Sequence, residues 1–371
     1  MSADDAPRLT DAAGVYKRTP ADFQVSERLP FTPEGAGEHV YLHIRKTQRN
    51  TLDVQRSLAQ LAAVPRHHVG YAGLKDRFAV TTQWFSVHLP GGGAPDWSVL
   101  EGAQTAQGDH LQLLEVTRHR KKLRIGAHSG NDFSLSVDSL TGDTAALSAA
   151  LQQIQQQGFP NFFGEQRFGI DHSNLKGVAS FGHVRKRLSQ RQQMILSAVR
   201  AALFNEVLCE RLARGCWCQP MTGDLLKLDG SNSFFGPVTV DDELCARMRA
   251  LDVHPTGPLA GSDEAAVTED AAALENAVLT RHDDYRALLA RVGVKPARRA
   301  LRACARQLRW QQQGAELQLQ FTLDRGVYAT TLLRYLGDFT QGGESRHRSE
   351  PVQGSESGQG SEPVQGSKLP P

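Results

Sequence analysis

Clean apolar–polar alternation at Leu317-Gln318-Leu319-Gln320-Phe321-Thr322-Leu323 constrains the fold most, because it returns after a long helical stretch. A two-residue period marks a half-buried strand, and a 3.6-residue period marks an amphipathic helix. Before about residue 140 the two-residue period prevails. It runs through Val40 to Arg45, Leu111 to Val116 (interrupted at Leu113-Leu114) and Phe133 to Val137, and Thr82 to Leu89 is a further strand. Two helices punctuate this region. One can be capped by Asn50 or Thr51 and carries Leu58, Leu61 and Ala62. The other starts near Asp143, runs through Leu147, Leu151 and Ile154, and stops at Gly158. From about 160 to 310 helical patterns dominate, as in Arg191 to Leu212 and Glu269 to Arg291, with the Gly/Pro-rich connection Pro255 to Gly261 between them. Tyr328 to Phe339 reads as a last helix. Strand character on both flanks of a helical block predicts an α+β chain with one domain inserted into another.

Several functional classes are excluded. The 371 residues suffice for about two domains. Five cysteines are too few, and odd in number, for a secreted disulfide framework. Cys216-Trp217-Cys218 has no second Cys/His pair nearby to complete a zinc site. The first nine residues lack a secretory core and no run of about 18 apolar residues occurs, so a soluble, cytoplasmic chain is expected. Beyond residue 341 the composition turns to Gly, Ser, Glu, Gln and Pro, and Ser-Glu-Pro-Val-Gln-Gly-Ser at 349–355 recurs at 361–367. So few apolar residues predict a disordered low-complexity tail over 342–371. A net charge of only +2 hides clustering. The densest basic run is Arg118-His119-Arg120-Lys121-Lys122-Leu123-Arg124, with Arg185-Lys186-Arg187 and Arg298-Arg299 behind it. Such runs are either the footprint of a nucleic-acid binder, with Arg120, Lys121, Lys122 and Arg124 as the candidate phosphate contacts, or plain solvated faces.

The chemistry centres on Ala72-Gly73-Leu74-Lys75-Asp76-Arg77. Lys75 and Arg77 are expected to favour the ionised form of Asp76; taken alone, an Asp between basic residues is more often a structural turn residue, but an ionised, oriented carboxylate can be a nucleophile. Gly70 to Lys75 only superficially resembles a phosphate-binding loop, since Asp76 stands where a magnesium-binding Ser or Thr belongs. With no other cofactor or metalloenzyme motif present, neither cofactor nor metal is expected. Gly130-Asn131-Asp132-Phe133 offers an amide and an aromatic face, which suit a base removed from its stack. Asn161 to Gly169 gathers aromatics, glycines and Arg167, either to stack bases and grip phosphate or to form a packed loop core.

In order along the chain these motifs resemble the TruD family of tRNA pseudouridine synthases. The resemblance rests on Lys17-x-x-Pro20-x-Asp22-Phe23-x-Val25-x-Glu27, Gly37-Glu38-His39, Asn50-Thr51 and Ala72 to Arg77 with Ala79, Thr81 and Gln83. It continues through Arg120 to Arg124, Gly130 to Phe133, Pro160 to Gly169, Ala201-x-x-Phe204-Asn205 and Tyr328-Ala329-Thr330, covering about residues 14 to 340. It implies a pseudouridine synthase catalytic domain, with a mixed, mostly antiparallel sheet flanked by helices, over 1–154 and 309–341. An inserted α/β TRUD domain would occupy 155–308. The implied reaction is isomerisation of uridine 13 in tRNA by a monomer, without cofactor, metal, membrane or protein partner. Asp76 aligns with the catalytic aspartate, Phe133 with the aromatic stacked on the target base and Asn131 with a residue supporting base or aspartate. Lys17, Glu27 and Arg77 are supporting residues, and Arg167 joins the RNA contacts. Because Phe133 has no hydroxyl it takes no part in proton transfer. Arg77 replaces a common Lys, Gln48 a common Gly and Ala21 a common Glu, which puts local loop geometry in question rather than the reaction. The rival reading is a non-catalytic RNA-binding or tRNA-folding factor on the same fold, which would not need Asp76, Asn131 and Phe133 together.

Overall fold

The computed structural model describes residues 7–91, 93–101, 109–182, 188–262 and 266–343. The run Arg185–Arg187 and all of the repeated tail beyond Gly343 lie outside these. Along the chain lie β1 (Ala13–Tyr16), β2 (Phe23–Arg28), β3 (His39–Thr47), α1 (Thr51–Leu61), β4 (Val69–Tyr71), β5 (Val80–His88), β6 (His110–His119), β7 (Gly130–Thr141) and α2 (Thr144–Gln157). There follow β8 (Phe159–Pro160), α3 (Ser173–Lys176), α4 (Gln190–Ala213), β9 (Leu226–Leu228), β10 (Phe234–Phe235), α5 (Asp242–Arg249), β11 (Val253–Leu259), α6 (Glu269–Leu279) and α7 (Asp283–Val292). The chain ends with β12 (Ala297–Ala300), β13 (Arg302–Ala303), β14 (Arg306–Gln313), β15 (Glu316–Asp324), α8 (Ala329–Leu336) and β16 (Asp338–Gln341).

The main sheet runs β14-β15-β7-β2-β5-β3-β6, with β1 on β7, β16 on β1 and β4 on β5. The β2–β5 and β1–β16 pairs are parallel and the rest antiparallel. Alternation decides which side chains enter the core. Phe23, Val25, Leu135, Val137, Leu317, Leu319 and Phe321 point to one face, where Leu147, Leu151 and Ile154 of α2 and Leu332, Leu333 and Leu336 of α8 cover them. Farther along, Val40, Leu42, Ile44, Phe85 and Val87 pack on Val54 and Leu58 of α1. Helix α2 starts where Asp143 accepts a bond from the Ala145 N–H, and it stops at Gly158, whose φ of 75° favours glycine.

Between β7 and the returning β14 the chain forms a second sheet, β10-β9-β11-β12, packed on α4. Three sequence expectations fail in detail. Pro255 to Gly261 is largely strand β11, six of whose seven residues are buried, because pairing with β9 and β12 overrides the weak strand preference of its Pro and Gly. Glu269 to Arg291 is two helices, broken where the Thr280 hydroxyl bonds back to Asn276 O at 2.8 Å and Asp283 and Asp284 open the next helix. Tyr328 to Phe339 is helical only to Leu336; Gly337 is extended, and the chain then joins β1 as β16. No helix among the described residues is long and apolar enough to cross a membrane.

Candidate active site

Residues 72–79 link β4 to β5, and neighbouring elements hold their backbone firmly. The Gly126 N–H donates to Ala72 O at 2.7 Å, and Gln83 Nε2 donates to Gly73 O at 3.2 Å. The Lys75 N–H donates to Thr51 Oγ1 at 3.0 Å, and the Thr51 hydroxyl passes on to Gln83 Oε1 at 2.9 Å. Asn50 is the N-cap of α1 but makes no side-chain capping bond. Thr51 and Gln83 are both buried, so this relay of hydrogen bonds is costly to break. Beneath it lies Lys46, fully buried, whose ammonium donates to Asp76 O at 3.0 Å and Arg49 O at 2.6 Å. Burial drives its pKa down to about 8, with Asp76 opposing. Sequence reading missed Lys46, although it occupies the next position on the buried Val40, Leu42, Ile44 face.

The Asp76 carboxylate meets Lys17, a cation far from it in sequence. Lys17 Nζ lies 2.7 Å from Asp76 Oδ2 and 4.1 Å above the Phe23 ring. A left-handed backbone (φ 56°) at the end of β1 accompanies this buried placement, an uncommon conformation for a non-glycine residue. Lys75 turns to Glu27 Oε2 at 3.0 Å and Asn131 Oδ1 at 2.7 Å. Arg77 is exposed and donates to Gln48 O at 3.4 Å. Sequence reading looked to the neighbouring Lys75 and Arg77 for the positive charge near Asp76; the structure adds Lys17 in direct contact with the carboxylate. Glu27 is buried and accepts from the Trp84 N–H at 3.3 Å; burial raises its pKa, while Lys75 opposes the rise. Phe133, half-buried one pleat from Asn131, stacks on Phe321 at 5.3 Å and meets Phe23 edge-on at 6.0 Å. Lys17, Glu27, Lys75, Asp76, Asn131 and Phe133 therefore make one connected cluster.

The basic run spans the end of β6 and the segment joining it to β7, the same segment that bonds Ala72. Arg120 pairs with Glu34 at 3.1 Å and Lys122 donates to His67 O, whereas Lys121 and Arg124 are exposed. They border a groove of about 810 Å³ with Phe31, Tyr41 and His119. The cluster at 161–169 is a packed loop core. Asn205 clasps the Phe163 backbone at 2.9 and 3.0 Å, and Arg299 lies 4.1 Å over the Phe163 ring. Arg167 donates to Ser197 Oγ and Tyr328 Oη, each at 3.0 Å, so protein groups occupy its terminal nitrogens. Among the described residues no group of three His, Cys, Asp or Glu could hold a metal.

His128 backs the loop, with its ring 3.2 Å from where a Cβ on Gly73 would sit. Burial, with Lys75 and Arg325 adding to it, lowers its pKa from 6.5 to about 4. The unfolded chain therefore takes up this proton first as pH falls, so the contribution is whole above about 6.5 and is lost toward about 4. Melting temperature is expected to drop through that window, and His128→Gln to flatten the drop. Superimposable pH profiles for the two proteins would contradict this.

The sequence model described as tRNA pseudouridine synthase D (TruD) matches residues 8–181 and 177–336. A tRNA pseudouridine synthase D of Nitrosococcus oceani is 44% identical over 346 residues, covering 90% of this chain and 95% of its own. One from Methylococcus capsulatus is 41% identical, covering 92% and 96%. The crystal structure of a Methanosarcina mazei chain assigned to tRNA pseudouridine synthase D superposes with a TM-score of 0.65 at 20% identity, over 90% of this chain and 96% of that one. That last likeness bears on the fold.

Proposed function

This chain belongs to the TruD family, and we propose that as a tRNA pseudouridine synthase it isomerises uridine 13 in the D arm, with Asp76 as the catalytic carboxylate. The observation that carries this reading is the grouping of Asp76 and its buried partner Lys17 with Lys75, Glu27 and Asn131 at the middle of the sheet, with Phe133 linked to Lys17 through the Phe23 ring. In the reaction the N1–C1′ bond breaks, the uracil turns and a C5–C1′ bond forms. C5 loses a proton and N1 gains one, so nothing is consumed and no cofactor is called for. Asp76 acts either by attack on the ring or ribose or by assisting glycosidic cleavage to a glycal. Lys17 keeps the carboxylate aimed, and Lys46 fixes the backbone carrying it. Phe321 covers one face of Phe133, and the target base would take the other. Lys75, tied to Glu27 and Asn131, holds the floor of the site.

The test is pseudouridine mapping on unmodified tRNA transcripts. Signal at a single D-arm uridine is expected; retained tRNA binding without any signal would instead favour a binding factor. For the RNA groove, neutralising Arg120, Lys121 and Lys122 together is expected to weaken binding without abolishing chemistry. Arg120 and Lys122 already have protein partners, so Lys121→Ala with Arg124→Ala is the sharper variant. Each lost phosphate contact should reduce the slope of log affinity against log salt by about 0.7–0.9. An unchanged slope and dissociation constant would remove these residues from the interface.

A further inference from the structure

Leu74 is 67% exposed, two residues before Asp76, in a loop otherwise locked by hydrogen bonds at Ala72, Gly73, Lys75 and Asp76. Its neighbour Lys75 points inward, with 6% of its side chain exposed. Leu74 belongs to none of the buried apolar clusters. On the adjoining segment Ile125 is 78% exposed, and the following residue's N–H is the one that bonds Ala72 O. Two bare branched aliphatics thus stand on two tied loops, one of them carrying the proposed catalytic carboxylate, and the same two segments carry the exposed cations Arg77 and Arg124.

We propose that Leu74, seconded by Ile125, is a wedge that enters the RNA base stack as the target uridine leaves it. This rests on the reading of Asp76 given above. A uridine in folded RNA must leave its stack before C1′ is within reach, and unstacking is unfavourable. Apolar side chains inserted between base steps offset that loss, provided they are already in place. The loop meets that condition, because its backbone is fixed by groups that do not involve Leu74. Leu74 is then a positioning residue, acting on the stack and leaving bond making to Asp76.

The probe is an unmodified tRNA transcript with 2-aminopurine beside the target uridine, bound at saturating protein in the Asp76→Asn background so that no chemistry intervenes. Protein with Leu74 should brighten the probe by unstacking it. Leu74→Ala should lose most of the brightening, and Leu74→Met should restore it. With Asp76 present, Leu74→Ala should lower kcat/KM on tRNA by roughly ten- to a hundredfold, the worth of burying one leucine side chain. Equal brightening by Leu, Ala and Met, brightening by none, or unchanged turnover would each overturn the wedge. Failure of the proposed function would show separately, as wild-type protein that makes no pseudouridine.

Discussion

Asp76→Asn is expected to abolish measurable pseudouridine formation, a loss on the order of 10⁴-fold in turnover, the scale seen when a carboxylate that works with a catalytic unit is removed. Folding and tRNA affinity should survive. Asparagine has the same shape, and the loop that carries it is fixed through backbone atoms, by Lys46 on Asp76 O and Thr51 on Lys75 N. The buried Lys17 ammonium keeps an acceptor, because the amide oxygen can replace Oδ2. The complementary change is milder. Lys17→Met leaves the carboxylate, 39% exposed, with water as its partner, and should cost about 10²-fold, the size of losing one oriented electrostatic contact. Single-turnover assays on tRNA transcripts, beside filter binding, separate the two effects. An Asp76→Asn enzyme that keeps even about one percent of its rate would take the carboxylate out of the central role.

The contrast between Asp76 and Lys17 shows where sequence reading works and where it stops. Local signals were faithful. The alternation at Leu317–Leu323 lies inside β15, and Val40–Arg45 lies inside β3. The Asp143 and Gly158 signals mark the two ends of α2. These features depend on side-chain period and on caps, which neighbouring residues set. The partner of Asp76 depends instead on β1 ending beside the β4–β5 loop, a contact across 59 positions that no window contains. Lys75, adjacent to Asp76 in sequence, turns instead to the buried Glu27, a contact equally invisible to a local window. Strand β11 was misread for a related reason. Its Gly257 lets the strand pass close to Phe204 and Leu301, where a Cβ would sit 3.0 and 2.8 Å away, so the residue that weakens strand propensity is the one that allows the packing. Arg167 shows the same limit from the other side. Arginine among aromatics fits RNA stacking and a packed loop equally well, and only the positions of Ser197 and Tyr328 show what its nitrogens touch.

The second large effect concerns stability, and it lies in the part of the chain where sequence pattern said least. Arg211, near the end of α4, and Asp224 form an ion pair with both side chains wholly buried. Arg211 Nη1 lies 3.1 Å from Oδ2, which also accepts the Met221 N–H at 2.9 Å, and a second guanidinium nitrogen meets Oδ1. Taking two charges out of water is expensive, and their attraction offsets that expense only while both are present. Asp224→Asn should therefore destabilise the protein by about 3–5 kcal/mol, because it strands a buried guanidinium. That corresponds to a fall in melting temperature of roughly 10 °C for a unit of this size. Replacing both residues by apolar ones, Arg211→Met with Asp224→Leu, should recover most of the loss, since no charge is then buried. Urea titrations of Arg211→Met, Asp224→Leu and the double variant make a cycle that decides the matter. Additive losses would show that the pair is not coupled. Recovery in the double variant would show that the two charges are coupled and that the pair adds no net stability over an apolar replacement, in a helix that also carries Asn205, whose amide clasps the Phe163 backbone at the seam with α8.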